Sequence, residues 1–438
     1  MQILATMLTR HFMLRTKYSM SFPRSVRRFG RISCYLGLAA IASCSNSAPA
    51  GGSGTGGTTN LGDVSTGGAG GNAVSDGGGA SGATSLGGGT WINRTAGTTA
   101  AGLPWVDVAS DATGTNLVAV TTIGTGNPDG NIWTSADAGA TWSNRTKGTT
   151  ASGQYWQSVA SDATGTNLVA VTRFTGLIPG GEDVWTSADG GATWTKRTTV
   201  TSTARGVVGP TIVSDSTGKH LVLADGDIWS SDDSGATWTD RTAATSSAAQ
   251  TWIDMASDST ATHLVGITAY SDIWTSADSG ATWSNRTTGT AASGLDWQGV
   301  ASDATGTTLV AVCSVSVSSS GILYAGDIWV SADSGTTWTN RTTGTAASGH
   351  LWVSVASDAA GTHLVAASAH GIGNDIWTSS DSGTTWLNET TGTTASGQQW
   401  ARVASDASGA RLVSVTTNGA PVAGGPGGPC CFGDIWTN

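Results

Sequence analysis

The chain is short of charge, of long hydrophobic runs and of paired cysteines. Only 11% of its 438 residues are charged, and the glutamates are just two, Glu182 and Glu389. Seven of the 20 basic residues lie before Cys44 and no acidic residue does; the remainder holds 13 basic against 30 acidic residues, a net charge of −17. A body so acidic, with no basic cluster, is unsuited to neutralising phosphates, which argues against a nucleic-acid partner. It argues equally against electrostatic docking on anionic lipid. Cys313, Cys430 and Cys431 are the only cysteines in the body; they form no disulfide framework and have no zinc-ligand spacing. Tyrosine and phenylalanine number five each.

Against these shortages stand 63 glycines and 20 tryptophans. So many indoles exclude a disordered body. Plentiful Thr, Val and Trp with little Glu or Lys point to strands, because β-branched and aromatic side chains fit a pleated, buried surface. The central signal is a repeat. Residues 272–285 read D-I-W-T-S-A-D-S-G-A-T-W-S-N, and the pattern returns at 131–144, 183–196, 227–240, 327–340 and 375–388. Each copy has four short runs separated by Gly, Asp and Thr, which read as strands joined by hairpin turns. The first run is led by a tryptophan (Trp105, Trp156, Trp252, Trp297, Trp352, Trp400), except in the third copy. The third run contains Trp133, Trp185, Trp229, Trp274, Trp329, Trp377 and Trp436. The fourth opens on Trp91, Trp142, Trp194, Trp238, Trp283, Trp338 and Trp386, which completes the 20.

Residues 434–438 form a third run without a fourth, and residues 90–95 a fourth without a third. Joined, they make one complete unit. Such repeats bury their faces only against neighbours, and a closed ring needs no capping units. The expected fold is therefore all-β: a seven-bladed β-propeller of four-stranded antiparallel blades, closed by the N-terminal strand.

Ahead of the repeats, Arg24, Arg27, Arg28 and Arg31 precede a short apolar run, residues 32–42, which ends in I-A-S-C at 41–44. A basic region, an apolar core too short to span a bilayer and small residues make an export signal. The ending resembles the lipobox of bacterial lipoproteins, which implies that Cys44 becomes the lipid-bearing first residue; an ordinary signal peptide cut near Ala48 or Ala50 is the alternative. The expected organisation is a lipoprotein-type signal at 1–43, a Gly/Ser/Thr-rich flexible tether at 44–89 and the propeller at 90–438. This places the protein in a bacterial cell envelope, exported and lipid-anchored, or else secreted, with the lipid as its one membrane contact.

The turn S-A-D-S-G-A-T-W resembles the Asp-box, or BNR repeat, with Asp137, Asp189, Asp233, Asp278, Asp333 and Asp381 as its aspartates. Families carrying it include sialidases, two-propeller endoglucanases, sortilin-type receptors and photosystem II assembly factors. The motif implies a blade and not an activity. A carboxylate repeated in every blade reads as turn scaffold, accepting N–H bonds from its own hairpin. D-x-G offers too few oxygens for a calcium loop. No metal and no cofactor is expected. The arginine of the repeated N-R-T (Arg94, Arg145, Arg286, Arg341) reads as a blade-to-blade contact with an aspartate. His220, His263 and His363 share one polar slot with Asn116, Asn167, Thr308 and Arg411.

In a propeller the links between strands one and two, and three and four, share one face. Those between strands two and three share the other. The first set barely changes from copy to copy; the second (123–130, 173–182, 224–226, 269–271, 313–326, 369–374, 417–433) does. Variable loops on a rigid scaffold are the usual place for recognition. The candidate ligand-binding residues near that face are Arg173, Phe174, Glu182, Arg205, Tyr270, Tyr324 and His370. The expected function is non-catalytic binding, as a monomer, of a glycan or an envelope or surface protein. A sialidase-like glycoside hydrolase is the alternative, but two glutamates cannot supply the carboxyl pair that flanks a sugar bond, and no catalytic residue is assigned. An assembly or scaffold factor similar to those of photosystem II is the third reading.

Overall fold

The computed structural model describes residues 90–123, 129–173, 182–200, 209–242, 250–269, 271–317, 323–324, 326–369, 374–418 and 433–438. Phe174, Arg205, Tyr270, His370, Cys44, Cys430 and Cys431 lie outside them, as do the signal and the tether. The described residues form seven four-stranded antiparallel sheets. In six of them the strands follow chain order. The seventh runs Gln399–Ser405, Leu412–Asn418, Ile435–Thr437 and then Ile92–Asn93. Ile92 pairs with Thr437 and Asn93 with Trp436, so the ring closes through a hairpin whose two strands come from opposite ends of the repeat region.

In six blades the second strand, such as Leu168–Thr172, is buried along its whole length. A continuous apolar run of this kind fits a strand covered on both faces. The hydrophobic clusters lie between blades: Val265, Ile267 and Ile273 of one pack with Trp297, Leu309 and Trp329 of the next. Tryptophans fill these wedges. Trp105, Trp156, Trp297 and Trp352 are completely buried. In five blades the inner indole meets the third-strand indole edge to face, with centroids 6.0–6.3 Å apart, an orientation the ring quadrupole favours.

A second closure runs around the axis. The residue after each strand one–two aspartate donates its N–H to its counterpart in the following blade. The chain of bonds goes Ala112 to Ala163, Ser216, Ser259, Ala304, Ala359, Ala407 and back to Ala112, at 2.9–3.1 Å. Seven backbone bonds therefore stitch the ring shut near its centre.

The third blade departs from the pattern. It has no leading tryptophan, its inner strand Thr211–Ser214 is short, and it pairs without the register shift seen at Trp105, Trp156, Trp252, Trp297, Trp352 and Trp400. A bulge kinks its strand locally, and blade three lacks that kink together with the tryptophan.

Candidate functional site

The turn-bearing face is built from local bonds. In the first blade Ser135 Oγ donates to Asp137 Oδ1 at 2.7 Å, Thr141 N–H to the same oxygen at 2.8 Å, and Thr141 Oγ1–H to Oδ2 at 2.6 Å. The same set recurs at Asp189, Asp233, Asp278, Asp333 and Asp381. Two successive residues adopt positive φ, as at Ser279 (54°) and Gly280 (84°). The Thr193 hydroxyl holds Asp189 below the usual carboxylate range, and the Thr237 hydroxyl and N–H hold Asp233 at about 2. These oxygens are committed to the turn.

The arginines correct an expectation. Arg94, Arg145, Arg197, Arg241 and Arg286 each donate Nε–H to the Thr or Ser hydroxyl of the third strand in their own blade, at 2.6–2.7 Å. They do not pair with an aspartate of a neighbouring blade. Where Arg becomes Glu389, Thr378 reverses its bond and donates at 2.6 Å. His263 and His363 sit 2.8 and 2.7 Å from the strand one–two aspartates Asp258 and Asp358. Cys313 stands where five other blades have Thr or Ser, accepting the Asp327 N–H at 3.4 Å; burial pushes its thiol up to about 12. A thiol so high supplies almost no nucleophilic thiolate at neutral pH. Among the described residues no group of His, Cys, Asp or Glu is arranged to hold a metal ion.

On the opposite face the links between strands two and three differ sharply. In blade three a single residue, Gly226, separates Asp225 from Asp227. In blade five an extra hairpin, Ser316–Val317 with Leu323–Tyr324, rises from the link. Arg173 follows the second strand of blade two and is exposed. Glu182 opens the third strand of that blade and is buried, opposite Val200 of an outer strand, Thr195–Val200, that is much longer than its counterparts. Tyr324 lies on the blade-five hairpin. The three described candidates thus belong to blades two and five.

The structure adds a group that the sequence reading missed. The residue two places after the leading tryptophan in five blades, and Thr211 at the equivalent place in blade three, face the axis: Asp107, Ser158, Thr211, Asp254, Ser354 and Arg402 line a channel of about 150 Å³. The flanks of this position repeat while the position itself changes, which was the available signal. Asp107 Oδ2 accepts the Ser158 hydroxyl and the Val159 N–H, both at 2.9 Å. Asp254 accepts the Val300 N–H at 3.3 Å. Arg402 lies 3.9 Å from Asp107 and donates Nη1–H to Val353 O at 3.3 Å. Burial raises both carboxyls above their usual range, against the pull of Arg402. Two carboxylates and one guanidinium thus share the axis.

No family model matches the chain, and neither does any curated protein sequence. Solved structures do. YCF48 from Cyanidioschyzon merolae is similar over 80% of this chain and 98% of its own, at 13% identity and a TM-score of 0.55. YCF48 bound to D1 peptide is similar over 80% and 95%, at 14% identity and 0.53. The GH74 xyloglucanase from Xanthomonas campestris is similar over 75% of this chain at 17% identity and 0.54, and the chain spans about half that enzyme's length. The chain is a seven-bladed β-propeller; at these identities the likeness extends to the fold alone.

Proposed function

We propose that the protein is a non-catalytic, exported and lipid-anchored binding propeller that engages an envelope or surface protein through its strand two–three links. The carrying observation is the contrast between the two faces. One is bonded into an identical turn in blade after blade, while the other differs in every link, from Gly226 alone to an added hairpin. Similarity to a propeller solved with a peptide supports a protein partner. On this reading the six turn aspartates are Asp-box scaffold, Cys44 carries the lipid, residues 44–89 are the tether, and Arg173 and Tyr324 belong to the contact surface. A glycan is the second ligand class, with stacking on exposed aromatics as its means.

The test is a pull-down of the full chain from envelope extract beside a glycan array. Capture of a defined protein that is lost in Arg173→Ala supports the proposal. Glycan binding with no protein captured replaces it with the lectin reading. Turnover of a fluorogenic sialoside that Glu182→Gln abolishes would overturn it. Palmitate labelling that survives Cys44→Ala removes the anchor.

A further inference from the structure

We infer that the groove between the last and first blades, on the turn-bearing face, binds the carboxylate of a small organic acid. It encloses about 200 Å³ and is lined by Arg94 and Arg411 of the last blade with Gly114 and Leu117 of the first. At six blade junctions the slot residue before the second strand packs against the glycine of the next blade's strand one–two turn. The Arg411 stem packs there against Gly114, where an added Cβ would lie 2.7 Å away. Elsewhere that slot holds Asn, Thr or His, so two arginines meet at this junction alone. At the preceding junction the equivalent pair is His363 with Glu389.

Both guanidiniums are fixed by neutral hydroxyls. Arg94 Nε–H donates to Thr437 Oγ1 at 2.7 Å, and Arg411 Nη1–H to Thr115 Oγ1 at 3.0 Å. Neither forms an ion pair among the described residues. Asp406, beside Arg411, accepts instead from the Ser408 hydroxyl and the Ala410 N–H, at 2.8 and 3.0 Å. Asp137 is held by Thr141. After these bonds each guanidinium keeps an edge with two parallel N–H donors, the arrangement that matches a carboxylate. On a body of net charge −17, the attraction for an anion comes from these two guanidiniums at short range, through charge-assisted hydrogen bonds. Leu117 and Leu412 supply an apolar floor. The volume is below the roughly 300–1,000 Å³ of pockets for drug-sized ligands, which limits the ligand to about the size of a sugar acid or amino acid.

Calorimetric titration of the full chain with glucuronate, glucose and inorganic sulfate tests this. Glucuronate should bind once per chain, in about the millimolar range usual for so small a contact, and glucose should not bind. Arg411→Asn installs the residue that the first two blades carry, and Arg94→Glu the residue of blade six, so both suit the fold. Each should weaken glucuronate at least about tenfold, with the melting temperature as a check on folding. Asn167→Ala, in the one-arginine groove between blades two and three, should leave it unchanged. No glucuronate binding, or undiminished binding by Arg411→Asn, overturns the site. Sulfate binding as tight as glucuronate overturns the organic-acid class. The site lies on the face opposite the proposed partner surface, so each can fail without the other.

Discussion

The aspartates of the turn-bearing face and those of the axial channel carry the same carboxyl group and are held in opposite ways. Each turn aspartate meets a hydroxyl and an N–H from the threonine four residues on, and its ionised form is favoured. At Asp278 burial works against this and is outweighed by the Thr282 and Ser276 bonds, so its pKa is lowered. Asp107 and Asp254 sit where burial prevails over their bonds and over Arg402, so the neutral form is favoured. Repetition accounts for the difference. A residue present in six blades is satisfied by its own hairpin and needs no neighbour. The channel aspartates occur in two blades and depend also on what the ring brings beside them, as Asp107 does on Ser158 and Val159 of the next blade.

The largest test of this contrast concerns the repeated tryptophans. Trp156→Ala should cost about 3–5 kcal/mol, as is usual for removing a large buried aromatic, and Trp297→Ala should cost nearly the same, because both are fully buried in equivalent wedges. Urea melts of the two variants check it; a difference comparable to the effect itself would show that the blades are not energetically equivalent.

Arg402→Ala should cost about 2 kcal/mol at neutral pH by leaving buried carboxylates uncompensated, and Asp254→Asn in the same chain should restore much of it. Melts of the single and double variants read the coupling. If the cost persists in the double variant, the channel charges are independent.

Loss of one turn aspartate, Asp278→Ala, should cost about 1 kcal/mol, comparable to the loss of a helix cap, with no effect on the other turns. Its pH dependence should oppose that of the channel. A carboxyl lowered by folding stabilises above its unfolded value of 3.8 and stops doing so as the pH falls through its folded value, about 2 for Asp233. A carboxyl raised by folding binds its proton more tightly in the folded state, so stability falls as the pH rises from 3.8 through the raised value. The wild type should therefore gain stability on mild acidification and lose it near pH 2. Asp107→Asn should remove part of the gain and leave the loss. Melting temperatures across pH separate the two limbs.

The smallest effect should be a stabilisation. Ser279 has φ of 54°, and Ser279→Gly should gain about 0.5–1 kcal/mol by relieving left-handed strain. Blade two already carries Gly190 at this point, with φ of 66°. A destabilisation measured by denaturant would mean that the serine side chain contributes more than its backbone costs.

The blade was legible from a single copy. Thr and Trp placed around D-x-G specify a hairpin from bonds within five residues, and the tryptophan registers set the count and order of the strands. Even the closing hairpin could be read, because 90–95 and 434–438 are the complementary halves of a known unit. The sequence also marked the strand two–three links as the variable ones. It did not place Glu182 inside a strand, since a glutamate in a polar stretch looks exposed until the partner strand Thr195–Val200 is seen to extend over it. Nor did it predict the arginine bonds, because Arg–Asp attraction is the simpler guess and the Thr hydroxyl is supplied by strand register.

What the amino-acid order determined by itself is the repeating unit and its number, since short-range hydrogen bonds and local burial are encoded within each copy. What only the tertiary structure decided is which of the unrepeated residues meet. Asp107, Asp254 and Arg402 share an axis, and Arg94 and Arg411 line one groove, because closing the ring brings together positions hundreds of residues apart. No local pattern can carry that information, for the encounter depends on the summed rotation of all seven blades.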